Sequence, residues 1–287
     1  MANESMRERI LVGGAPGCGK TFAWATIARA QPNHKFYVID PDDGTRRVLY
    51  EKDEATRERV FPDLSNIEYY LTPKWYTAGS TKVGTVTKLS DPGLHAYQSG
   101  IADAWKVIKP KLKPGDWIVV EHLGSIWDRV QDGFADEVFQ KDIGQYFLEK
   151  RKVLAAGAKR LDALEGWTDW QVVNKMHNDD FIVPICFENP AHVFMTSSVS
   201  LADKNAKEDS EIKAFYGDTL IRFDGQKRSP FRTQTILLFK RTGRKSDAKF
   251  IMNTFQKDRG RPWLEDVEWD DFYWEYLISN AEWGPED

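Results

Sequence analysis

Residues 9–30 read RILVGGAPGCGKTFAWATIARA: an apolar run, a glycine-rich turn, then a helix-forming run. No other stretch constrains the fold as tightly. From Gly14 to Thr21 the chain matches G-x-x-x-x-G-K-[ST] at every required position, and the match sits between a strand and a helix as the motif demands. The chemistry explains the residue types. Gly14, Gly17 and Gly19 let backbone N–H groups curl around a phosphate with no Cβ in the way. The helix that follows favours negative charge at its start. Gly14, Ala15, Pro16, Gly17, Cys18, Gly19, Lys20, Thr21 and Phe22 are therefore the candidate nucleotide-binding residues. Lys20 would reach the β and γ phosphates, and the Thr21 hydroxyl would ligate Mg²⁺. The implied ligands are a nucleoside triphosphate and Mg²⁺, and the implied architecture is an α/β sheet with the site at the carboxyl ends of its strands.

Further strand-like runs follow. KFYVIDPDDG (35–44) ends in Asp40, Asp42 and Asp43. One of these carboxylates can orient an attacking water; a turn rich in Asp and Gly is the plain alternative. WIVVE (117–121) leads four apolar residues to Glu121, the pattern of a Walker B strand with Glu where Asp is usual. Glu121 then either supports a rearranged Mg²⁺ shell or acts differently. Asp116 lies too far along an extended chain to replace it. AHVFMTSSVS (191–200) turns abruptly from apolar to hydroxylated at Thr196, Ser197 and Ser198. QTILLFKR (234–241) and KFIMNTF (249–255) read as a hairpin around TGRKSD. That hairpin runs into TFQKDRGRPW, where Lys257 and Arg259 are two apart and would share one side of an extended chain. A solvated hairpin tip is the alternative there.

Composition narrows the class. The chain has 287 residues, 41% of them hydrophobic and 29% charged, which suits a globular protein with a sizeable core. No run approaches the ~18 apolar residues of a membrane span, and MANESMRERI has no apolar signal region. Two cysteines supply neither a disulfide framework nor a metal set. These features predict a soluble protein of a reducing compartment, with no membrane partner. The net charge of −4 argues against nucleic-acid binding by bulk charge, leaving only local patches.

The order of P-loop, acidic strand end, Walker B-like strand, hydroxylated strand and cation-tipped hairpin resembles the RecA-like P-loop ATPases. More narrowly, GGAPGCGKT, YVIDPDDG and FQKDRG resemble phage-encoded RecA-like ATPases of the recombination and single-strand annealing type. The resemblance implies a three-layer α/β/α core over about residues 8–262, with a mostly parallel sheet and a C-terminal antiparallel hairpin, in one domain spanning 1–287. It implies that Asp42 polarises the water and Asp43 is second choice, and that Glu121 supports Mg²⁺ through water. It also implies that Lys257 and Arg259 act in trans on a neighbour's γ-phosphate, so Lys20, Asp42, Glu121, Lys257 and Arg259 form the catalytic set of a homo-oligomer, ring or filament. DNA, single-stranded for preference, and a cytoplasmic setting (the host's, if phage-encoded) follow from the same resemblance. A packaging or other translocating motor and an ATP-dependent switch with little turnover are the rival functions.

The remaining segments carry less chemistry. Residues 131–190 predict a mostly helical insertion in which Trp167 and Trp170 are read as core or interface anchors before base-stacking platforms. His177 has no ligand-spaced partner. The segment 201–218 reads as a flexible loop. Lys227, Arg228, Arg232, Lys240, Arg241, Arg244 and Lys245, with Phe231, are candidates for a phosphate-binding channel; a solvated basic face is the alternative. Residues 264–287 hold nine acids, no Lys or Arg and three tryptophans. They predict a packed terminal helix around DDFYWEYLISNAEW, with an acidic flap over a basic groove as the alternative.

Overall fold

In the computed structural model, residues 7–52, 56, 58–76, 94–141, 143–156, 166–201, 221–243 and 248–283 are described. The loop 201–218 for the most part, Arg244, Lys245 and the Trp167 side chain lie outside the described residues, so the readings placed on them are not taken further.

Eleven strands occur among the described residues: β1 (Arg9–Gly14), β2 (Phe36–Asp40), β3 (Ile67–Lys74), β4 (His95–Gly100), β5 (Trp117–Val120), β6 (His192–Ser197), β7 (Val199–Leu201), β8 (Ile221–Phe223), β9 (Thr235–Thr242), β10 (Lys249–Asp258) and β11 (Val267–Trp269). Nine of them form one sheet in the order β11-β10-β9-β1-β6-β5-β2-β3-β4, and β7 pairs with β8 apart from it. From β9 to β4 every pairing is parallel; β10 and β11 are antiparallel additions. The expected hairpin is thus present as β9–β10. Strands β3 and β4, which the sequence reading leaves unassigned, extend the opposite edge.

The central strands β1, β2, β5 and β6 are almost wholly buried, which is why they appear in sequence as unbroken apolar runs rather than alternating ones. Their side chains alternate between two cores. Leu11, Ile118, Val120, Val193 and Met195 face one; Ile10, Val12, Trp117, Val119 and Phe194 face the other. The first core is covered by α3 (Ile101–Ile108), α4 (Leu123–Phe139), α5 (Ile143–Ala155) and the chain from α6 (Gly166–Asn174) through a π-helical stretch, Lys175–Ile182, to α7 (Val183–Phe187). The second is covered by α1 (Lys20–Ala30), α2 (Thr45–Leu49) and the helical turn Tyr273–Ile278.

Two helical layers around a mostly parallel sheet make the expected three-layer α/β/α architecture. One strand, β6, separates the P-loop strand β1 from β5, which ends at Glu121. Between 131 and 190 the described residues are mostly helical, and within 264–283 a short helical turn, Tyr273–Ile278, packs onto the sheet. Phe272, Tyr276 and Leu277 are fully buried, so the acidic terminal segment packs on α1's side of the sheet rather than over a basic groove.

Candidate active site

Strand β1 ends at Gly14, and a five-residue turn, 15–19, leads to Lys20 at the start of α1. The glycines are required by geometry. A Cβ on Gly14 would meet Cys18 Sγ and the Phe239 carbonyl oxygen at 2.5 Å each, and Gly17 and Gly19 have φ of +75° and +93°, a region that side chains disfavour. The first helical bond runs from Ala23 N–H to the Gly19 carbonyl, 2.9 Å. The amides of Lys20, Thr21 and Phe22 therefore have no partner within the helix and point where an anion would sit. Ala15, Pro16 and Gly17 are exposed, and Cys18 is buried beneath the loop. Lys20 Nζ donates to the Gly14 and Ala15 carbonyls at 2.8 and 3.0 Å, so its ammonium lies across the turn. The Phe22 ring packs on Phe61, Phe250 and Trp269, leaving only its backbone amide for a phosphate.

Glu121 extends from the end of β5 toward α1. Its Oε1 accepts from the Thr21 hydroxyl at 2.7 Å and its Oε2 from the Trp24 indole N–H at 3.1 Å, with the Thr196 hydroxyl also beside it. Burial pushes the carboxyl up to about 7, and the nearby Asp40 adds to the rise, while the hydrogen bonds from Thr21 and Trp24 and the nearby Thr196 hydroxyl oppose it. The extra methylene of Glu over Asp thus has a visible use: it spans the gap to Thr21 directly. This oxygen pair suits Mg²⁺, a hard cation that takes oxygen ligands and keeps much of its water. Thr21 would ligate it through the hydroxyl oxygen, with Glu121 holding the hydroxyl proton away. Among the described residues no group of three or more His, Cys, Asp or Glu gathers to hold a metal, so any ion here would depend on the nucleotide's phosphates for further ligands.

The three acids after β2 separate clearly. Asp40 is buried and accepts from the amides of Asp42 and Thr45, 2.9 and 3.0 Å, and from the Tyr69 hydroxyl at 3.2 Å. Asp43 is tied to Arg46 through both its oxygens and to Tyr69 at 2.7 Å. Asp42 alone has a side chain about half exposed; it accepts from Ser125 Oγ on α4, and Arg129 stands 3.9 Å away. Asp42 is the acid free to meet a water; Asp40 and Asp43 hold the turn.

Sequence reasoning missed His122. Its Nε2 accepts from the Ser198 amide and lies 2.9 Å from Ser198 Oγ. Burial and then the Lys20 charge hold the ring below its ordinary pKa, partly offset by Asp42 and Asp224. It stands among the P-loop lysine, the water-facing acid and the hydroxylated end of β6. Its place directly after Glu121 was the only signal for it. A second missed residue is Trp269 of β11, which lies 3.0 Å from where a Gly19 Cβ would be and so floors the loop. Arg241, on β9, has a guanidinium nitrogen 3.9 Å from the position of a Gly17 Cβ.

Lys257 and Arg259 lie elsewhere. Thr235 of β9 pairs with Ile10 at the start of β1, and Asp258 pairs with Thr235. The two cations thus sit at the amino edge of the parallel sheet, opposite the P-loop. The extended-chain picture of them also needs correction. Gln256 has φ of +59° at a bulge between Thr254 and Lys257, β10 stops at Asp258, and Arg259 stands exposed in the turn beyond. Lys257 Nζ donates to the Phe231 carbonyl at 3.4 Å. Burial lowers its ammonium to about 8, with the charges of Arg259 and Arg9 adding to the effect.

The expected single basic channel is also revised. Lys240 and Arg241 follow Phe239, which pairs with Gly14 at the P-loop edge, whereas Arg232 precedes Thr235 at the other edge. These cations therefore serve two separate places. Trp170 is not buried in the core: it is 40% exposed and lies nearly parallel to Trp127, with ring centroids 6.1 Å apart, which leaves the interface-anchor and base-stacking readings of it.

No protein-family model matches this sequence, and no curated protein matches it. Among solved structures, the chain is similar to the KaiC-like protein PH0186 from Pyrococcus horikoshii OT3, at 10% identity and a TM-score of 0.41, covering 90% of this chain and 83% of that one. It is likewise similar to the RadB recombinase, at 9% identity and a TM-score of 0.39, covering 91% and 86%. Both likenesses concern fold alone, and the chemistry of the site has to be argued from its own residues.

Proposed function

We propose that this chain is a Mg²⁺-dependent ATPase that acts on DNA in recombination or strand annealing, as one 287-residue unit that shares active sites with neighbouring copies. The observation that carries the ATPase reading is the 2.7 Å contact between Thr21 and Glu121 beside the Lys20 turn, with Asp42 the one acid of its turn left facing solvent. Lys20 binds the β and γ phosphates. Asp42 accepts a hydrogen bond from a water and orients it toward the γ-phosphorus; attack breaks the bond to the β-phosphate oxygen and yields ADP and phosphate. Mg²⁺, when bound, neutralises charge on the β and γ oxygens.

Shared sites draw support from the amino edge. There Lys257, Arg259 and Arg9 crowd together with like charge, at a cost that a neighbour's γ-phosphate would offset. Their distance from their own P-loop excludes action in cis and suits action in trans.

The test is ATPase rate per chain against protein concentration, with and without single-stranded DNA, using Lys20→Ala as the blank. A rate that climbs with both is expected; a flat, DNA-indifferent rate would remove oligomer and DNA together. A second reading, a nucleotide switch with little turnover, is favoured by the burial of Glu121, which keeps its carboxyl up at about 7. Tight ATP binding with turnover near the Lys20→Ala blank at every concentration would select it.

A further inference from the structure

The DNA-acting reading leaves open where a strand would lie, and the face of α4 and α6 offers a place. A cavity of about 690 Å³ opens between α6 and the segment 225–232, within the ~300–1,000 Å³ typical of ligand sites. Trp170 stands exposed at it, nearly parallel to Trp127. Trp127 is in turn fixed from beneath by His177, edge-on at 5.2 Å and fully buried. Lys227, Arg228 and Arg232 line the other wall. That wall is stiffened by Gln226, which donates to Asn174 Oδ1 at 3.0 Å and accepts from the Arg228 amide at 2.6 Å. Asp179 is the acid among the lining residues, on the same helical stretch as Lys175, so anionic groups would be expected on the 227–232 side.

We propose that this cavity binds a segment of single-stranded nucleic acid, with one base stacked on Trp170 and the flanking phosphates held by Lys227, Arg228 and Arg232. The inference rests on the DNA-acting function proposed above and gives it a location. An exposed aromatic face next to clustered cations is the pairing that single strands require. Stacking is indifferent to base identity, and the cations follow the backbone. The lining is otherwise polar, with amides and charges rather than an apolar floor, which does not suit an amphipathic helix or a lipid. A second cleft, about 490 Å³, adjoins it and shares Trp127, Gly225 and Lys227 with it; His122, Ser125 and Asp224 line that cleft. A bound strand would therefore sit one side chain away from the histidine beside Lys20 and Asp42, which gives DNA a physical route to alter turnover.

The experiment is fluorescence anisotropy of a labelled oligo(dT) titrated with full-length protein, over a salt series and with dTMP as competitor. Trp170→Ala should weaken binding about tenfold, and Trp170→Phe should restore most of the loss. Lys227→Ala should lower the slope of log K against log salt by about one. All three variants should bind a fluorescent ATP analogue as the parent does, which shows that they are folded. Trp170→Ala binding as tightly as the parent, or a Trp170→Phe variant as weak as Trp170→Ala, would overturn the site and leave DNA action standing. Displacement by dTMP at concentrations equal to the oligonucleotide's nucleotide content would reassign the cavity to a free nucleotide. No binding by the parent protein would overturn the DNA reading itself, and this site with it.

Discussion

At the carboxyl edge of the parallel strands, Lys20 and Asp42 are held by backbone turns and left toward open space. At the amino edge, Glu8 and Arg261 are buried against one another, with Arg261 also donating to the Tyr276 hydroxyl at 3.0 Å and the Trp283 indole donating to Glu8 at 3.0 Å. Burial alone would depress the Arg261 guanidinium, but Glu8 and Tyr276 outweigh it and hold the charge firmly on. The contrast separates two uses of charge. Groups meant for a ligand stay near water and lose little while waiting; groups meant for structure are desolvated and depend on each other. Lys257 and Arg259 fit neither class cleanly. They stand on the same edge as the buried pair, yet the nearby cations that act on Lys257, namely Arg259 and Arg9, are of its own sign.

The largest effect should come from that anomaly. Changing Lys257 and Arg259 together to alanine should lower turnover by about 10³-fold or more, the scale of a lost cationic finger, and leave ATP affinity as it was. Steady-state ATPase with a separate nucleotide-binding titration decides it. Unchanged turnover in the double variant would make the amino edge purely structural.

Next in size is the buried pair. Arg261→Ala leaves Glu8 desolvated and without its cation, and should cost about 3–5 kcal/mol in denaturant unfolding. Arg259→Ala, two residues earlier but exposed, should stay within about 0.5 kcal/mol. Similar losses for both would erase the distinction between the two kinds of charge on this edge.

How much of this was legible in sequence follows the same division. The placement of the P-loop turn, Asp42 and Glu121 at strand ends could be read because each follows an unbroken apolar run. The β9–β10 hairpin could be read because its turn lies between two apolar runs. Strands β3 and β4 could not: β3 carries polar residues among its aromatics, and β4 is a short edge strand, HAYQSG, whose pattern only pairing reveals. His122 and Trp269 were hidden for another reason. Their roles come from contacts across about 76 and 250 positions of chain, to Ser198 and Gly19, that no local pattern encodes. The bulge at Gln256 likewise depends on pairing with β9, so the side-by-side picture of Lys257 and Arg259 could not be checked from spacing.

The smallest effect is also the most specific to Lys257. Its ammonium is lowered to about 8 by burial, then by Arg259 and Arg9. In the free protein it is charged below that pH and increasingly neutral above it. If the charge acts on a neighbour's phosphate, kcat/KM, which reports free-enzyme groups, should fall as pH rises through about 8. Lys257→Arg keeps its charge throughout this range and should flatten that limb. Stability should move the other way: the folded state sheds this proton before the unfolded chain does, so the protein gains stability from pH 8 toward 10.5, slightly, because the side chain is only half-buried. Activity and stability changing in opposite directions above pH 8 would separate a working cation from a packing one. A limb that persists unchanged in Lys257→Arg would assign the titration to another group and return Lys257 to the structural side of the comparison.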